Sequence, residues 1–150
     1  MRRLLCLALL AGTASAQDYD VEDLADAFGR TVIVIEANEH ACYGLDVFIA
    51  STDAQKRRGL MFVRKLPEWT GMLFLYRDSG MHSMWMKNTY IPLDIAFIRQ
   101  DGRIASIAKN TEPLSLHSIR ATEPVNFVLE LNAGITDRLS IGPESLLILD

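Results

Sequence analysis

Short apolar segments separated by turn-forming residues constrain the fold of this chain more than any other feature. Residues 31–36 read TVIVIE, residues 71–76 read GMLFLY and residues 126–131 read NFVLEL, and each has the length of a β-strand rather than of a helix. Asp101-Gly102 separates two further apolar runs and is the strongest hairpin signal in the sequence. The sequence therefore predicts many short strands, with an antiparallel pair on either side of that turn.

Helical signals are few and brief. Residues 20–29 place apolar side chains at helical spacing. Thr52 and Gln55 form a capping-box pattern ahead of a basic turn that Gly59 ends. Residues 133–139 predict one more helical turn. We therefore expect a mainly β fold of the α+β type, a small antiparallel sheet or barrel with two or three short helices.

The first 16 residues have the pattern of a secretory signal peptide. A basic pair is followed by an apolar run and by Ala14-Ser15-Ala16, which is typical of a cleavage site. The apolar run is too short to span a bilayer, so we expect a periplasmic or secreted protein without membrane insertion after cleavage. The expected organisation is a signal peptide (1–16), an N-terminal extension with a short helix and the first strand (17–44), and a single β-rich domain (45–150) that forms one globular unit with the extension.

Charge and cysteine content narrow the classes of partner. Loss of Arg2 and Arg3 with the signal peptide would take the formal net charge from −4 to −6, and no basic stripe is left, so we expect no nucleic-acid partner. Of the 2 cysteines only Cys42 would survive cleavage, so an intrachain disulfide is not expected. A buried thiol is the favoured interpretation of Cys42, with a free thiol or a bond to another chain as alternatives.

The chemically richest stretch is residues 81–97, MHSMWMKNTYIPLDIAF. Its first part predicts a strand, and Pro92 predicts a bend because proline cannot donate to a strand ladder. Side chains in a strand alternate between two faces. One face would carry His82, Met84 and Met86, and the other would carry Met81, Ser83, Trp85 and Lys87.

The face of Trp85 predicts a binding site for a small molecule or a glycan. The indole offers a flat apolar surface and Lys87 a cation, a pair suited to a sugar ring or a small anion. Asn88 and Asp94 flank the bend and would complete the polar side of the site. The alternatives are a core aromatic for Trp85, a solvated strand end for Lys87, and turn structure for Asn88 and Asp94, since both side chains can bond nearby backbone groups.

Two charged residues elsewhere are candidates for the same ligand-binding site. Arg58, at the end of the predicted basic helix, would either clamp a carboxylate or phosphate or pair with Asp94 or Glu130 inside the fold, and the structural pair is favoured. Glu130 interrupts an apolar strand on the face opposite its apolar side chains. It would face solvent there, or it would pair with Arg58 or Lys87.

Two alternative functions follow from the same residues. An imidazole and two thioethers at His82, Met84 and Met86 are a soft ligand set that selects Cu(I), although methionines more often fill core gaps, so no cofactor is expected and Cu(I) is the alternative. An enzyme is not favoured, because the sequence contains no nucleophile elbow, zinc-protease helix or phosphate-binding glycine loop. A glycan hydrolase using Asp94 and Glu130 as an acid and base pair is the third class.

An ordered set of motifs runs from residue 45 to about residue 142. In chain order the motifs are Arg58-Gly59-Leu60-Met61, Gly71-Met72-Leu73-Phe74, Trp85-Met86-Lys87-Asn88-Thr89, Ile91-Pro92-Leu93-Asp94, Asp101-Gly102, and Val128-Leu129-Glu130 followed by Ala133-Gly134. In these motifs the chain resembles an uncharacterised bacterial and archaeal family, domain of unknown function 192 (DUF192). The resemblance implies a single compact β-rich domain, often exported, with no agreed activity. The chain differs from the family at Gly142-Pro143-Glu144, where members usually carry a Gly-Asp step.

Overall fold

A curled β-sheet forms the body of the molecule in residues 19–149, the part of the chain that this computed structural model describes. The elements are α1 (Tyr19–Ala27), β1 (Gly29–Asn38), β2 (Ala41–Ala50), α2 (Asp53–Arg58), β3 (Thr70–Gly80), β4 (Ser83–Met84), β5 (Leu93–Ile98), β6 (Ile104–Ala108), β7 (Ile119–Arg120), β8 (Val125–Asn132), α3 (Ile135–Arg138) and β9 (Leu146–Ile148). The expected mainly β fold with short helices is confirmed. The predicted signal peptide lies outside the described residues.

Seven of the strands form one sheet in the order β6-β5-β8-β3-β2-β1-β9, which curls into a half-barrel, and β4 pairs with β7 in a separate two-stranded sheet. All neighbours in the large sheet are antiparallel except β2 and β3, which are parallel. A parallel pair needs a crossover connection, and here the crossover contains α2. The pairing thereby places α2 beside the end of β3.

The predicted hairpin at Asp101-Gly102 is present between β5 and β6, where Ile98 pairs with Ile104. The Asp101 carboxylate accepts a 3.0 Å hydrogen bond from the Arg103 amide and fixes the turn. The first half of β1 is exposed, and Val32 there has 52% of its surface accessible. β9 is short and pairs with β1 only from Val34 onward.

Both faces of the large sheet are covered by apolar side chains, which form two core clusters. Alternate residues of β8 belong to different clusters: Val128 packs with Phe74 and Phe97, whereas Leu129 packs with side chains on the opposite face. Burial of each such side chain contributes roughly 1.5–3 kcal/mol to stability. Glu130 follows the same alternation and lies on the face of Val128, where it is 4% exposed, so the expectation that it faces solvent is wrong.

The capping box predicted for α2 is confirmed. The Thr52 hydroxyl accepts from the Gln55 amide at 3.2 Å, and the Gln55 side-chain oxygen accepts from the Thr52 amide at 3.1 Å. α2 has no buried residue, and the Gln55 side-chain amide ties it to α1 by donating to the Ala27 carbonyl at 3.0 Å. Within residues 19–149, no helix has the length and apolar character needed to cross a bilayer.

Cys42 lies on β2 in a half-buried position opposite Glu36. It is disulfide-bonded. The expectations of a buried or free thiol at this position are therefore wrong.

Candidate functional site

The alternation predicted for the central stretch is present in residues 81–87. Met81, Ser83, Trp85 and Lys87 are exposed, whereas His82 and Met84 are half-buried and Met86 is buried. Only two of these residues belong to a regular strand, because β4 pairs with β7 only at Ser83 and Met84. The Met86 amide then donates to the Ser115 carbonyl at 3.0 Å, which keeps the segment extended beyond the strand.

A cavity of about 80 Å³ lies between α2 with its following turn, β3, and the segment from Ser83 to Thr89. Its lining includes four of the candidate ligand-binding residues, namely Arg58, Trp85, Lys87 and Glu130, together with the candidate Cu(I) ligand Met84. Three further polar side chains line it that were not assigned to the site from the sequence: Lys56, Arg57 and Tyr76. Four basic side chains thus surround one small cavity. We call it the α2 pocket.

Two basic side chains of α2 that line the α2 pocket, Lys56 and Arg58, lie against aromatic rings. The Lys56 ammonium donates to the Leu75 carbonyl at 3.3 Å and lies 4.9 Å from the centroid of the Tyr76 ring. The Arg58 guanidinium lies 5.6 Å from the centroid of the Phe28 ring. Among the described residues Arg58 forms no ion pair, so the favoured pairing with Asp94 or Glu130 is wrong.

Trp85 and Lys87 form the outer wall of the α2 pocket. The Trp85 side chain is 48% exposed, so the alternative of a core aromatic is wrong. The Lys87 ammonium lies 5.0 Å from the centroid of the indole ring, a cation–π arrangement. Lys87 therefore sits over an aromatic surface at the rim of the cavity rather than at an isolated strand end.

Glu130 lies at the floor of the α2 pocket. It is 4% exposed, and its strand neighbours are Met72 on β3 and Ile95 on β5. Its Oε2 atom has no hydrogen-bond partner among the described residues. Burial raises the pKa of Glu130 to about 8, so the carboxyl is largely protonated at neutral pH. Burial, and then the charge of Glu130, raise the pKa of Tyr76 to about 12.

Asp94 and Asn88 lie outside the lining of the α2 pocket. Asp94 is fully buried on β5 and accepts four hydrogen bonds, from the amides of Asn110, Gly134 and Thr136 and from the Thr136 hydroxyl. These bonds fix the start of α3. Asn88 has a φ of 56°, and its carbonyl accepts from the Phe62 amide at 2.8 Å. Both residues have the turn-supporting role that was their alternative interpretation.

The candidate Cu(I) ligands have separate partners inside the fold. The Met86 sulfur accepts a 3.2 Å hydrogen bond from the Thr111 hydroxyl in the core. The Tyr76 hydroxyl lies 3.8 Å from the Met84 sulfur, and the Tyr76 ring stacks on His82 at a centroid distance of 3.7 Å. The described residues contain no group of three or more His, Cys, Asp or Glu side chains placed to hold a metal ion. Binding of Cu(I) stays a prediction.

A larger and more open depression of about 450 Å³ lies where the loop before β3 meets the end of β8 and α3. Its polar groups are already engaged. The Asn132 side-chain amide donates to the Leu66 and Pro67 carbonyls at 3.0 Å, and Arg138 forms an ion pair with Glu68. Since this charge is neutralised within the fold, the smaller α2 pocket is the stronger candidate site.

Comparison with known proteins places the chain in a family and gives two similar solved structures. One, from Sinorhizobium meliloti 1021 and provisionally described as a transcription regulator, is 38% identical with a TM-score of 0.79 and covers 81% of this chain and 94% of its own. Another is a protein of unknown function from Novosphingobium aromaticivorans DSM 12444, which is 33% identical with a TM-score of 0.77. The match covers 80% of this chain and 85% of the Novosphingobium chain. No match was found among curated proteins.

The family model begins earlier in the chain than the motifs did. It matches residues 33–148, so it includes β1, whereas the motif resemblance began at Leu45. The described structure explains the difference, because β1 pairs along its length with β2 and belongs to the same sheet. The chain belongs to the DUF192 family, described as "Uncharacterized ACR, COG1430".

Proposed function

We propose that this chain is a binding protein for a small polar, anionic ligand, such as an acidic sugar, which it holds in the α2 pocket. The observation that carries the proposal is the convergence of four basic side chains on one cavity beside a half-exposed tryptophan. The site residues of the proposal are Arg58, Trp85, Lys87 and Glu130, together with Lys56 and Arg57.

The charge of the pocket supports an anion because most of it is not neutralised within the fold. Elsewhere in residues 19–149, Arg30, Arg99 and Arg138 pair with carboxylates. Arg57, Arg58 and Lys87 have no such ion pair with any described residue. A local excess of positive charge on a chain with a net charge of −4 favours recruitment of an anion at this place.

The shape of the pocket limits how the ligand is held. Pockets that enclose a drug-sized ligand have volumes of roughly 300–1,000 Å³, and the α2 pocket has about 80 Å³. Only one functional group of the ligand would enter the cavity. The remainder would lie over the indole of Trp85, whose flat face suits the C–H surface of a sugar ring, and guanidinium groups such as that of Arg58 bind carboxylate or phosphate in a bidentate manner.

The expected export of the chain leads us to propose a ligand from the cell envelope, such as a fragment of an acidic polysaccharide. The provisional description of the Sinorhizobium protein as a transcription regulator applies to that protein. For this chain we keep the expectation that it has no nucleic-acid partner, and a short DNA duplex is a useful negative arm of the binding test.

The test is a thermal-shift and calorimetric comparison of glucuronate with glucose at low ionic strength, with Cu(I) and the DNA duplex as further arms. A ligand that binds only the native state raises the melting temperature, so we expect a rise with glucuronate and none with glucose. Arg58→Ala and Lys87→Ala should weaken binding roughly tenfold each, a loss typical of a hydrogen bond to a charged group. Lys109→Ala, which removes an exposed lysine outside the pocket, is the control.

Salt gives a second readout of the same interaction. The exposed cations should be screened as ionic strength rises, because the Debye length falls to about 10 Å at 0.1 M. Affinity for glucuronate should therefore fall with added salt. Equal binding of glucose and glucuronate, or equal losses in Lys87→Ala and Lys109→Ala, would contradict the proposal.

A further inference from the structure

We infer that Glu130 selects the ligand of the α2 pocket. The ligand carries a hydrogen-bond donor, either a hydroxyl or an ammonium group, which binds the Glu130 carboxyl. The anionic group of the same ligand binds the basic side chains. This inference rests on the proposed function and adds to it the chemical class of the ligand. That class is a hydroxy acid or an amino acid rather than a simple anion.

The first reason is that Glu130 lines the pocket while its buried Oε2 atom has no partner among the described residues. Glu130 is 4% exposed, and no described residue hydrogen-bonds to this atom. Buried polar atoms are almost always hydrogen-bonded, and an unpaired one destabilises the fold. A donor group on a ligand that enters the cavity would supply the missing partner, so part of the binding free energy would come from satisfying this atom.

The second reason is that no basic side chain of the pocket forms an ion pair with Glu130 in residues 19–149. From α2, Lys56 is directed to the Leu75 carbonyl and to Asp53, and Arg58 lies over Phe28. From the segment after β4, Lys87 lies over the indole of Trp85. Arg57, also on α2, is exposed.

The elements next to Glu130 add no further charge to the floor of the pocket. The phenol of Tyr76 faces the cavity from β3, and the strand neighbours Met72 and Ile95 are apolar. Glu130 is thus buried, whereas Arg57, Arg58 and Lys87 are exposed. This separation is complementary to a molecule with a donor at one end and an anionic group at the other.

The protonation state of Glu130 distinguishes the two kinds of donor. Burial raises its pKa to about 8, so the free pocket holds a largely neutral carboxyl at pH 7. An ammonium group in the cavity favours the carboxylate, so binding of an amino acid should release a proton, and its affinity should rise with pH up to about 8. A hydroxyl group can donate to the neutral carboxyl, so a hydroxy acid should bind without proton release.

The experiment uses matched carboxylates that differ only in the donor: propionate, 3-hydroxypropionate and β-alanine, and the corresponding butyrate series. Isothermal titration should give at least roughly tenfold tighter binding for a hydroxy or amino derivative than for its parent. Titration of the amino derivatives in two buffers with different ionisation enthalpies measures proton release. Equal affinities within both series would overturn the inference, whereas no binding of any carboxylate, including glucuronate, would count against the proposed function itself.

Two substitutions of Glu130 assign the effect to this residue. Glu130→Leu removes the acceptor and should abolish the preference for donor-bearing ligands. Glu130→Gln keeps a carbonyl acceptor without a titrating group, so it should retain the preference for the hydroxy acid and lose proton release with the amino acid. Glu39→Gln is the control, since it changes an exposed carboxyl in the turn between β1 and β2. This variant should bind the ligands as the unmodified protein does. A preference that persists in Glu130→Leu would refute the assignment.

Discussion

The Leu147 amide donates a 2.7 Å hydrogen bond to the Gly102 carbonyl, joining the last strand of the chain to the turn of the β5–β6 hairpin. β9 and β6 are the two edges of the curled sheet, and a bridge between Arg103 and Leu146 lies beside this bond. A Cβ atom on Gly102 would lie 2.4 Å from the Leu147 carbonyl oxygen. The approach of the two edges therefore requires glycine at this position.

Gly102→Ala and Gly134→Ala form a matched pair that isolates this close approach. Both glycines have a φ of +84°, but a Cβ on Gly134 would meet nothing within 4 Å. Gly134→Ala should cost about 1–2 kcal/mol, the penalty of a left-handed backbone for a residue with a Cβ. Gly102→Ala should cost more by roughly 1–3 kcal/mol, because the two edges must also move apart. Urea unfolding measures the free energy of unfolding of both variants. Equal decreases in the two variants would show that the contact between the edges adds no stability.

Glu130→Leu should stabilise the protein at neutral pH. The pKa of Glu130 rises from 4.5 in the unfolded chain to about 8 in the fold, so between these values the folded state binds more protons than the unfolded state. Stability should therefore decline as pH rises from about 4.5 to about 8 and level off above it. Removing the carboxyl should raise the free energy of unfolding by roughly 2–4 kcal/mol at pH 7.

The measurement for Glu130→Leu is denaturant unfolding at several pH values between 4 and 9, with Glu39→Gln as the control. The difference between the unmodified protein and Glu130→Leu should be smallest near pH 4 and largest near pH 8. A difference that does not change with pH would mean that folding leaves the pKa of Glu130 unchanged.

Trp85→Ala and Trp69→Ala should separate ligand binding from general packing. The chain has two tryptophans; Trp85 is 48% and Trp69 43% exposed, and each has a basic side chain over its ring, Lys87 at 5.0 Å and Arg138 at 5.7 Å. Trp85→Ala should weaken glucuronate binding by roughly 0.5–1.5 kcal/mol, the range for aromatic contacts, and Trp69→Ala should leave it unchanged. In Trp69→Phe the fluorescence of Trp85, the remaining indole, should change when glucuronate binds. Unchanged fluorescence at glucuronate concentrations that saturate the protein would argue against Trp85 as the contact surface.

Asp94→Asn should reduce stability without changing ligand affinity. The substitution leaves one acceptor oxygen where the carboxylate accepts four hydrogen bonds, so we expect a loss of roughly 2–4 kcal/mol. Asp137→Asn on α3, whose carboxylate is exposed and pairs with Lys109, should cost less than about 1 kcal/mol. Unfolding by urea and titration with glucuronate well below the melting temperature test the two halves of this prediction. If the folded Asp94→Asn protein bound glucuronate more weakly, Asp94 would have to be counted among the ligand-binding residues.

Local patterns carried most of the fold prediction. The capping box of Thr52 and Gln55, the turn at Asp101-Gly102 and the alternation of residues 81–87 each depend on groups only a few residues apart, so the sequence displays them directly. The parallel pairing of β2 with β3 did not follow from such patterns, because it depends on a crossover whose path is set by packing.

The candidate site was predicted as a set of residues rather than as a geometry. Arg58, Trp85, Lys87 and Glu130 were named from their chemistry, but long-range pairing of β3 with β8 brings them to one cavity. The hydrogen bonds of Asp94 could not be predicted from local sequence, because its partners are 16 to 42 residues away in the chain. Lys56 and Arg57 could have been assigned to the site from the sequence, because they belong to the same basic run as Arg58. The sequence around Tyr76 indicated only an apolar strand.

The two sides of the α2 pocket differ in how firmly they are anchored. Glu130 belongs to an interior strand of the sheet, whereas α2 is six residues long, has no buried side chain and is held by contacts such as those of Gln55 with Ala27 and Lys56 with Leu75. Segments of this kind open locally at a much lower free energy than the core. We therefore expect backbone amides of α2 to exchange with solvent well before those of β8, and ligand entry and release to follow the opening rate of this one helical turn and a half.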